Sequence, residues 1–431
     1  MVVAVIGNAF IIEIHMSNYV GVNEFSSLYR KGFCVFVITF IVLAALSIKK
    51  PDAIFHPQLW AEDGVIFLAQ QREYGIFHAL LTPYAGYYHL VPRVTAAIAD
   101  SFPLIYTPMI YNCIAVLLTC CVSYYIFFSR IELSNIYAKF MLSLAPVLVP
   151  HTGEVLITVT NIQWVLALCL PFLYIQDIHQ HWLETLVSLF VVIIIGLTGP
   201  FMIFSSATLV LRFLYYRKFN RYEFVFYVSI LIISLVQAIC IIYNYDFRGP
   251  TSQTTHEWPY QIKEIFKQFF IYFYFGGIFP LHFSKTLLPF SILIAVITFS
   301  ILLTTNLLYR YYIVTSLLVA VIIFSAVIVK MHDPWMIIPY GAGARYYYIP
   351  YGCVFIAYIF LCWSSRQWQR YFGVFILTLV LFSSATVFVQ WPPFTDFQWR
   401  DHVKELSQKE TVVVPINPPG WRVELTRKPH E

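Results

Sequence analysis

The sequence predicts an all-α polytopic membrane protein with about eleven transmembrane helices, a long first outer loop and a short soluble tail. Three observations carry that expectation. Hydrophobic residues make up 59% of the 431 and charged residues only 11%, against about 25% charged in a soluble domain. Apolar runs near the roughly 20 residues needed to cross a bilayer recur from residue 32 to residue 390. The runs are continuous and do not alternate with period two, which excludes a transmembrane barrel.

Residues 1–31 form a leader expected on the cytoplasmic side. Its start, "MVVAVIGNAFIIEIH", is apolar but short, with no basic n-region and no A-x-A site, so it does not read as a cleaved signal peptide. Met16 opens a more polar leader and is a second candidate start. Within a membrane domain 32–390, candidate spans lie near 32–48, 104–128, 137–150, 162–177, 183–198, 200–216, 223–243, 286–309, 311–329, 346–364 and 371–390. The short 137–150 stretch is expected to tilt or to be buried among neighbours.

Arg30/Lys31, Arg130/Lys139, Arg217/Lys218/Arg221 and Arg366/Arg370 mark one side as cytoplasmic. The first loop, 49–103, then faces outward with 150–161, 244–285, 330–345 and the tail 391–431. This count requires that 265–281 does not cross. Its Gly276-Gly277 pair, Pro280 and flanking lysines suit a re-entrant or interfacial segment; an ordinary span there would move the tail inside. The tail reads as a short helix near 398–408, a strand "TVVVPI" and a Pro/Gly turn.

The unusual polar motifs all fall on the outer side: "WAEDG" (60–64), "YAGYYHLVPR" (84–93), "PHTGEV" and "TNIQW" (150–164), "HDPW" (332–335), "GARYYY" (343–348) and "INPPGW" (416–421). The net charge of +5 is modest and sits in short interspan clusters, a pattern of loop topology and not of nucleic-acid binding. Aromatics at 19% exceed what interfacial belts require, and Tyr and Trp also stack on apolar sugar faces. All eight cysteines lie within or beside apolar runs without CxxC or metal spacing, as small core hydrophobes do.

Glu62 and Asp63 have two readings. Asp63 suits the N-cap of an amphipathic stretch 64–74. Alternatively, repulsion between adjacent carboxylates raises the pKa of one of them toward that of a general base. As catalytic residues, the choice falls on Asp63 as base with Glu62 as helper, because Gly64 leaves backbone room for a substrate. Arg345 and Arg93 read either as headgroup anchors or as ligands for a donor phosphate through the planar guanidinium; Lys330 is a further cation. Trp60, Tyr87, Tyr88, His89, Glu154, Asn161, Gln163, Trp164 and Tyr346 are the candidate substrate-binding residues, although 150–164 also reads as a solvated loop. His332 and Asp333 read as a structural pair. No cofactor and no metal ligand set is evident, and a divalent metal stays open. Gly196, Gly199 and Pro200 look like a hinge between antiparallel spans.

Taken together, "PQLWAEDG", "TPYAGYYHLVPR", "TNIQW", "GARYYYIPY" and "PINPPGW" resemble a bacterial group of GT-C integral-membrane glycosyltransferases, the serotype-converting O-antigen glucosyltransferases. The resemblance implies a GT-C-like fold in the bacterial inner membrane, with the active site facing the periplasm. It implies a sugar donor, carrying glucose, on a polyprenyl phosphate, and an O-antigen or other lipid-linked polysaccharide acceptor. It assigns the catalytic carboxylate to Asp63 or Glu62. The tail is much shorter than in oligosaccharyltransferase-like relatives, which speaks against peptide acceptors. The expected reaction is displacement at the anomeric carbon with inversion. A transporter or flippase of lipid-linked sugars predicts charged residues at mid-span, where Gln237 is an isolated polar exception. An O-antigen polymerase would rely on basic outer loops, not an acidic one.

Overall fold

A backbone in lipid must satisfy its own hydrogen bonds, so apolar runs become helices. The computed structural model describes residues 23–133, 135–151, 153–244, 258–276, 284–330, 337–389 and 392–427. Within them the chain is helical apart from one two-stranded hairpin. Its first half forms α1 (Asn23–Lys49), α2 (Ala69–Leu81), α3 (Leu90–Asp100), α4 (Thr107–Phe128), α5 (Ile136–Ser143) and α6 (Trp182–Thr198). The second half forms α7 (Arg221–Tyr243), α8 (Trp258–Phe275), α9 (Ser284–Thr304), α10 (Leu307–Lys330), α11 (Arg345–Cys362), α12 (Gln367–Thr386) and α13 (Trp399–Glu405).

Six stretches, in α1, α4, α7, α9, α10 and α12, are long and apolar enough to cross a membrane. This is an all-α membrane protein. Of the remaining predicted spans, α6 is shorter, three are broken, and α11 is long enough but less apolar. The 137–150 stretch divides at Leu144 into α5 and a second helix, Ala145–Leu148. Ile162–Leu166 and Leu170–Ile175 are joined by a single 3-10 turn, with Pro171 in the first turn of the second helix, where its missing N–H costs nothing. Phe201–Ser205 and Leu209–Tyr216 repeat that arrangement around Ser206–Thr208. Helix α11 is continuous and buried on nearly every side from Tyr347 to Cys362, as a helix at the centre of a bundle must be.

The 265–281 stretch is helical through Phe275, while Gly277 and Pro280 lie outside the described residues, as do His332 and Asp333. Gly276 ends α8 at φ +62°, and a Cβ there would meet Thr386 Oγ1 at 2.2 Å. The close approach to α12 requires glycine.

A second core sits on the first-loop face. It joins Leu59, Phe67 and Leu68 of the first loop and Leu104 before α4 to Trp399 of α13 and the inner residues of the hairpin. Strand β1 (Thr411–Ile416) pairs antiparallel with β2 (Trp421–Thr426) in a register from Thr411↔Thr426 to Ile416↔Trp421. The predicted tail helix and first strand are present; the second strand, after the "NPPG" turn, was not anticipated. Val412, Val414 and Ile416 are buried and alternate with more exposed residues, the period-two pattern of a strand with one inward face.

At the other end of α7 lies a buried ionic cluster. Arg212 donates through Nε and Nη2 to both oxygens of Glu223, at 3.1 and 2.8 Å, and through Nη1 to Tyr174 O and Gln176 O. His179 donates its backbone N–H to Glu223 Oε1 at 2.7 Å, and its ring reaches the same oxygen and Ser188 Oγ. Gln237, farther along α7, bonds the backbone of Tyr88 in the first loop. Fourteen helical residues, about 21 Å, separate it from Glu223.

Candidate functional site

The acidic turn is held from both ends of the chain. Asn417 O accepts the Ala61 N–H, and the Asn417 N–H donates to Leu59 O at 3.2 Å. The Asn417 side chain is itself fixed by two 2.9 Å bonds to the backbone of Thr395. Ala61 takes the left-handed φ of +39°, and a six-residue π-helical turn begins at Asp63. Such turns are rare and concentrate at functional sites.

Asp63 is buried, and its Oδ1 accepts both the N–H and the hydroxyl of Thr160, each at 2.8 Å. It therefore caps no helix of its own, and it ties the first loop to a loop 97 residues away. Burial pushes its pKa up to about 7 against the lowering effect of the Thr160 bonds, and the Glu62 charge adds to the rise. Gly64 offers no room for a substrate, because a Cβ on it would stand 2.7 Å from Ile416 Cδ1. The tail fills that space. The carboxylate that faces open volume is Glu62, which lines a cavity of about 230 Å³ and accepts a 3.5 Å bond from Tyr84 OH.

Two cations line the same cavity, Arg345 and Lys330. Arg345 starts α11, and buried Glu154 holds it twice, accepting its backbone N–H at 3.1 Å and Nη1 at 3.0 Å. Burial lifts the Glu154 pKa to about 7, opposed chiefly by the Arg345 charge. The guanidinium lies 5.1 Å from the Tyr346 ring, and the Lys330 ammonium 5.5 Å from the Tyr87 ring. Thus the loop 150–161 carries Thr160 for the acid and Glu154 for the cation. It is anchored in turn by buried Lys49 and Lys50, which donate to His151 O and Leu156 O.

The walls are aromatic and amide. Tyr84 and Tyr87 close a small bridged turn, and Tyr87 OH meets Gln163 at 3.3 Å. A Cβ on Gly199 would meet Gln163 Oε1 at 2.6 Å, so the "hinge" glycine makes space for this amide. His89 stacks on Tyr87 at 4.3 Å and its Nδ1 faces Tyr87 O. Burial drives its pKa down to about 3; at neutral pH the ring is uncharged. Trp164 packs on Phe201 and edge-on to Tyr346, and Asn161 completes the rim.

Of the residues nominated by the sequence, Glu62, Arg345, Tyr87, His89, Asn161, Gln163, Trp164 and Tyr346 thus line one cavity, with Lys330. Others do not. Asp63 lies beneath it, turned to Thr160. Glu154 positions Arg345 and does not border the opening. Trp60 stacks on Phe394 of the tail at 5.1 Å, and Tyr88 holds Gln237. Arg93 is buried over the Phe67 ring, where its Nη2 donates to Thr82 O at 3.0 Å, outside the lining of this cavity. Thr160 and Tyr84 were missed although both stand inside quoted motifs; a hydroxyl next to Asn161 and a tyrosine opening a tight turn were the available signals. Phe201, Phe204 and the α10 positions Ile323, Ala326 and Val327 carry no signal in sequence beyond apolarity. No group of three or more His, Cys, Asp or Glu placed to hold a metal ion occurs among the described residues. Compared with protein-family models, curated proteins and solved structures, the chain matches none.

Proposed function

We propose that this chain is a GT-C-like glycosyltransferase that moves a hexose, glucose by the resemblance of its motifs, from a polyprenyl phosphate to an O-antigen or related surface polysaccharide at the periplasmic face. One observation carries the reading: among the described residues, a single carboxylate and two cations share a cavity walled by aromatic rings and by the apolar flank of α10. Sugar faces stack on such rings, a phosphate needs the cations, and the acceptor hydroxyl needs a base.

The proton of the acceptor hydroxyl goes to Glu62 as its oxygen bonds to the anomeric carbon. The bond from that carbon to the lipid phosphate breaks, and its electron pair leaves with the phosphate. Arg345 and Lys330 neutralise the developing charge. Attack opposite the leaving group inverts the configuration. Asp63, below, sets the position of the turn. A separate apolar cavity of about 260 Å³, lined by Phe269, Phe299, Leu302, Phe324 and Val354, borders α10 as well. It offers the donor's hydrocarbon chain a place within reach of the same helix. A flippase reading would draw on buried charge, but Arg212, Glu223 and His179 already bond one another.

Membranes holding the chain, supplied with radiolabelled polyprenyl-phosphate glucose and O-antigen polysaccharide, should transfer label to the polysaccharide. Arg345→Lys keeps the charge and loses the fork, so transfer should fall at limiting donor while the protein still inserts. No incorporation from any polyprenyl-phosphate hexose by folded protein would sink the reading. Periplasm-dependent reporters fused at residues 260 and 410 should be active, and one at 219 inactive; silence at 410 would put the tail, and the cavity it braces, on the wrong side.

A further inference from the structure

Beside the cavity, across the segment that carries Glu62, lies a groove of about 460 Å³. We infer that this groove binds a neutral oligosaccharide and holds the acceptor chain in place, an inference that rests on the glycosyl-transfer reading for the acceptor role. Its polar lining is His56 and Gln58 from the first loop with Asp396, Gln398, Arg400, Asp401 and Lys404 from the tail. Phe55, Pro108 and Met109 supply apolar patches.

The charges decide the ligand class. Two carboxylates face two cations, so they cancel. An anionic headgroup or acidic glycan would call for excess cations, and a cationic ligand for excess carboxylates. Closely spaced donors and acceptors without net charge match hydroxyl groups, each of which both donates and accepts. The Phe55 ring, 68% exposed, offers the flat apolar face on which a sugar's C–H face packs. Lys404 and Asp401 pair at 3.0 Å, each with about two-thirds of its side chain exposed. A pair of that kind contributes little to stability, and both groups are available to a ligand. The floor is firmer: Gln58 Nε2 donates to Asp396 Oδ1 at 3.2 Å and Trp399 Nε1 to Leu104 O at 2.8 Å.

Place supports the acceptor role. Gln58 lines the groove and Glu62 the cavity, and four residues of extended chain span at most about 14 Å. Trp60, within that stretch, stacks on Phe394 of the tail at 5.1 Å. Ile105, Pro108 and Met109 stand at the start of the α4 span, so the groove opens at the membrane boundary, where a lipid-anchored polysaccharide emerges.

The test uses the full chain in lipid nanodiscs on an array of neutral, acidic and amino-substituted oligosaccharides. Neutral glycans should bind, and Arg400→Ala with Asp401→Ala should weaken binding at least tenfold. Both groove changes lie on the exposed face of α13, and an unchanged melting temperature checks folding. Binding confined to acidic glycans, or binding untouched by the double change, overturns the inference. So does an anionic phospholipid that co-purifies with the parent and is lost from the double variant. The arms separate the two readings: absent glycan binding with Glu62-dependent transfer refutes the groove alone, whereas groove-dependent binding without any transfer refutes the transferase and the acceptor role together.

Discussion

The two ends of α7 hold charge in opposite ways. Near one end, Arg212, Glu223 and His179 spend their polar atoms on one another and on nearby carbonyls, buried and saturated. Beyond the other, Glu62, Arg345 and Lys330 border open volume, and their supports, Asp63 with Thr160 and Glu154, are tucked behind them. A buried ion pair is weak evidence of function, since desolvation opposes it and full hydrogen bonding is what makes it tolerable. Glu62 and Arg345, by contrast, are braced from behind and border a cavity. The contrast teaches that bordering a cavity, more than burial or pairing, separates the candidate site from the structural cluster.

The sharpest break of this comparison is Glu62→Gln. It should lower transfer by roughly two to four orders of magnitude with an unchanged melting temperature, measured on the same purified protein. Normal transfer would return the turn to a structural role. Arg212→Ala should do the reverse. It strands Glu223 in the interior, at about 3–5 kcal/mol of stability, while transfer per folded molecule stays at the parent value; a specific loss of turnover would erase the distinction. Gly64→Ala forces a Cβ against Ile416 Cδ1, the end of a buried side chain, and should cost about 1–3 kcal/mol. Pairing it with Ile416→Val should recover most of that in thermal melts if the tail packing is the cause.

The smallest effect is a pH slope. Asp63 and Glu154 have folded pKa values raised to about 7 from 3.8 and 4.5. Between those values and about 7 the folded state binds more protons than the unfolded one, so stability should fall as pH rises through that window. Asp63→Asn keeps an acceptor for Thr160 and removes one titration. It should flatten the slope of melting temperature against pH and leave transfer within about tenfold of the parent; a larger loss would restore Asp63 as the base.

Legibility followed range. The apolar runs gave helices where they were expected, because the bilayer constraint acts along the chain. The breaks at Leu144 and at the two 3-10 turns depend on packing, which the pattern of apolar runs does not carry. For the site, tyrosines, amides and Arg345 were recognisable as polar groups stranded beside spans. Which of Glu62 and Asp63 borders the cavity was not, since it turns on Thr160, 97 residues on, and on Ile416, which occupies the room beside Gly64. That Arg93 lies outside the lining of the Glu62 cavity was not legible either, because its neighbours in space, Phe67 and Thr82, are not written beside it.

The hairpin has a consequence for the order of assembly. Thr426 accepts a bond from Arg72 across 354 residues, and β1 closes on the segment that shapes the acidic turn. During synthesis Leu59, Phe67 and Leu68 reach the surface long before Val414, Ile416 and Val423 exist to cover them. The acidic turn can take its final form only after every intervening helix has been inserted and the last strands delivered. A chain truncated anywhere between would display an uncovered apolar face and leave its acidic turn unset, so an unfinished copy is marked for quality-control proteolysis.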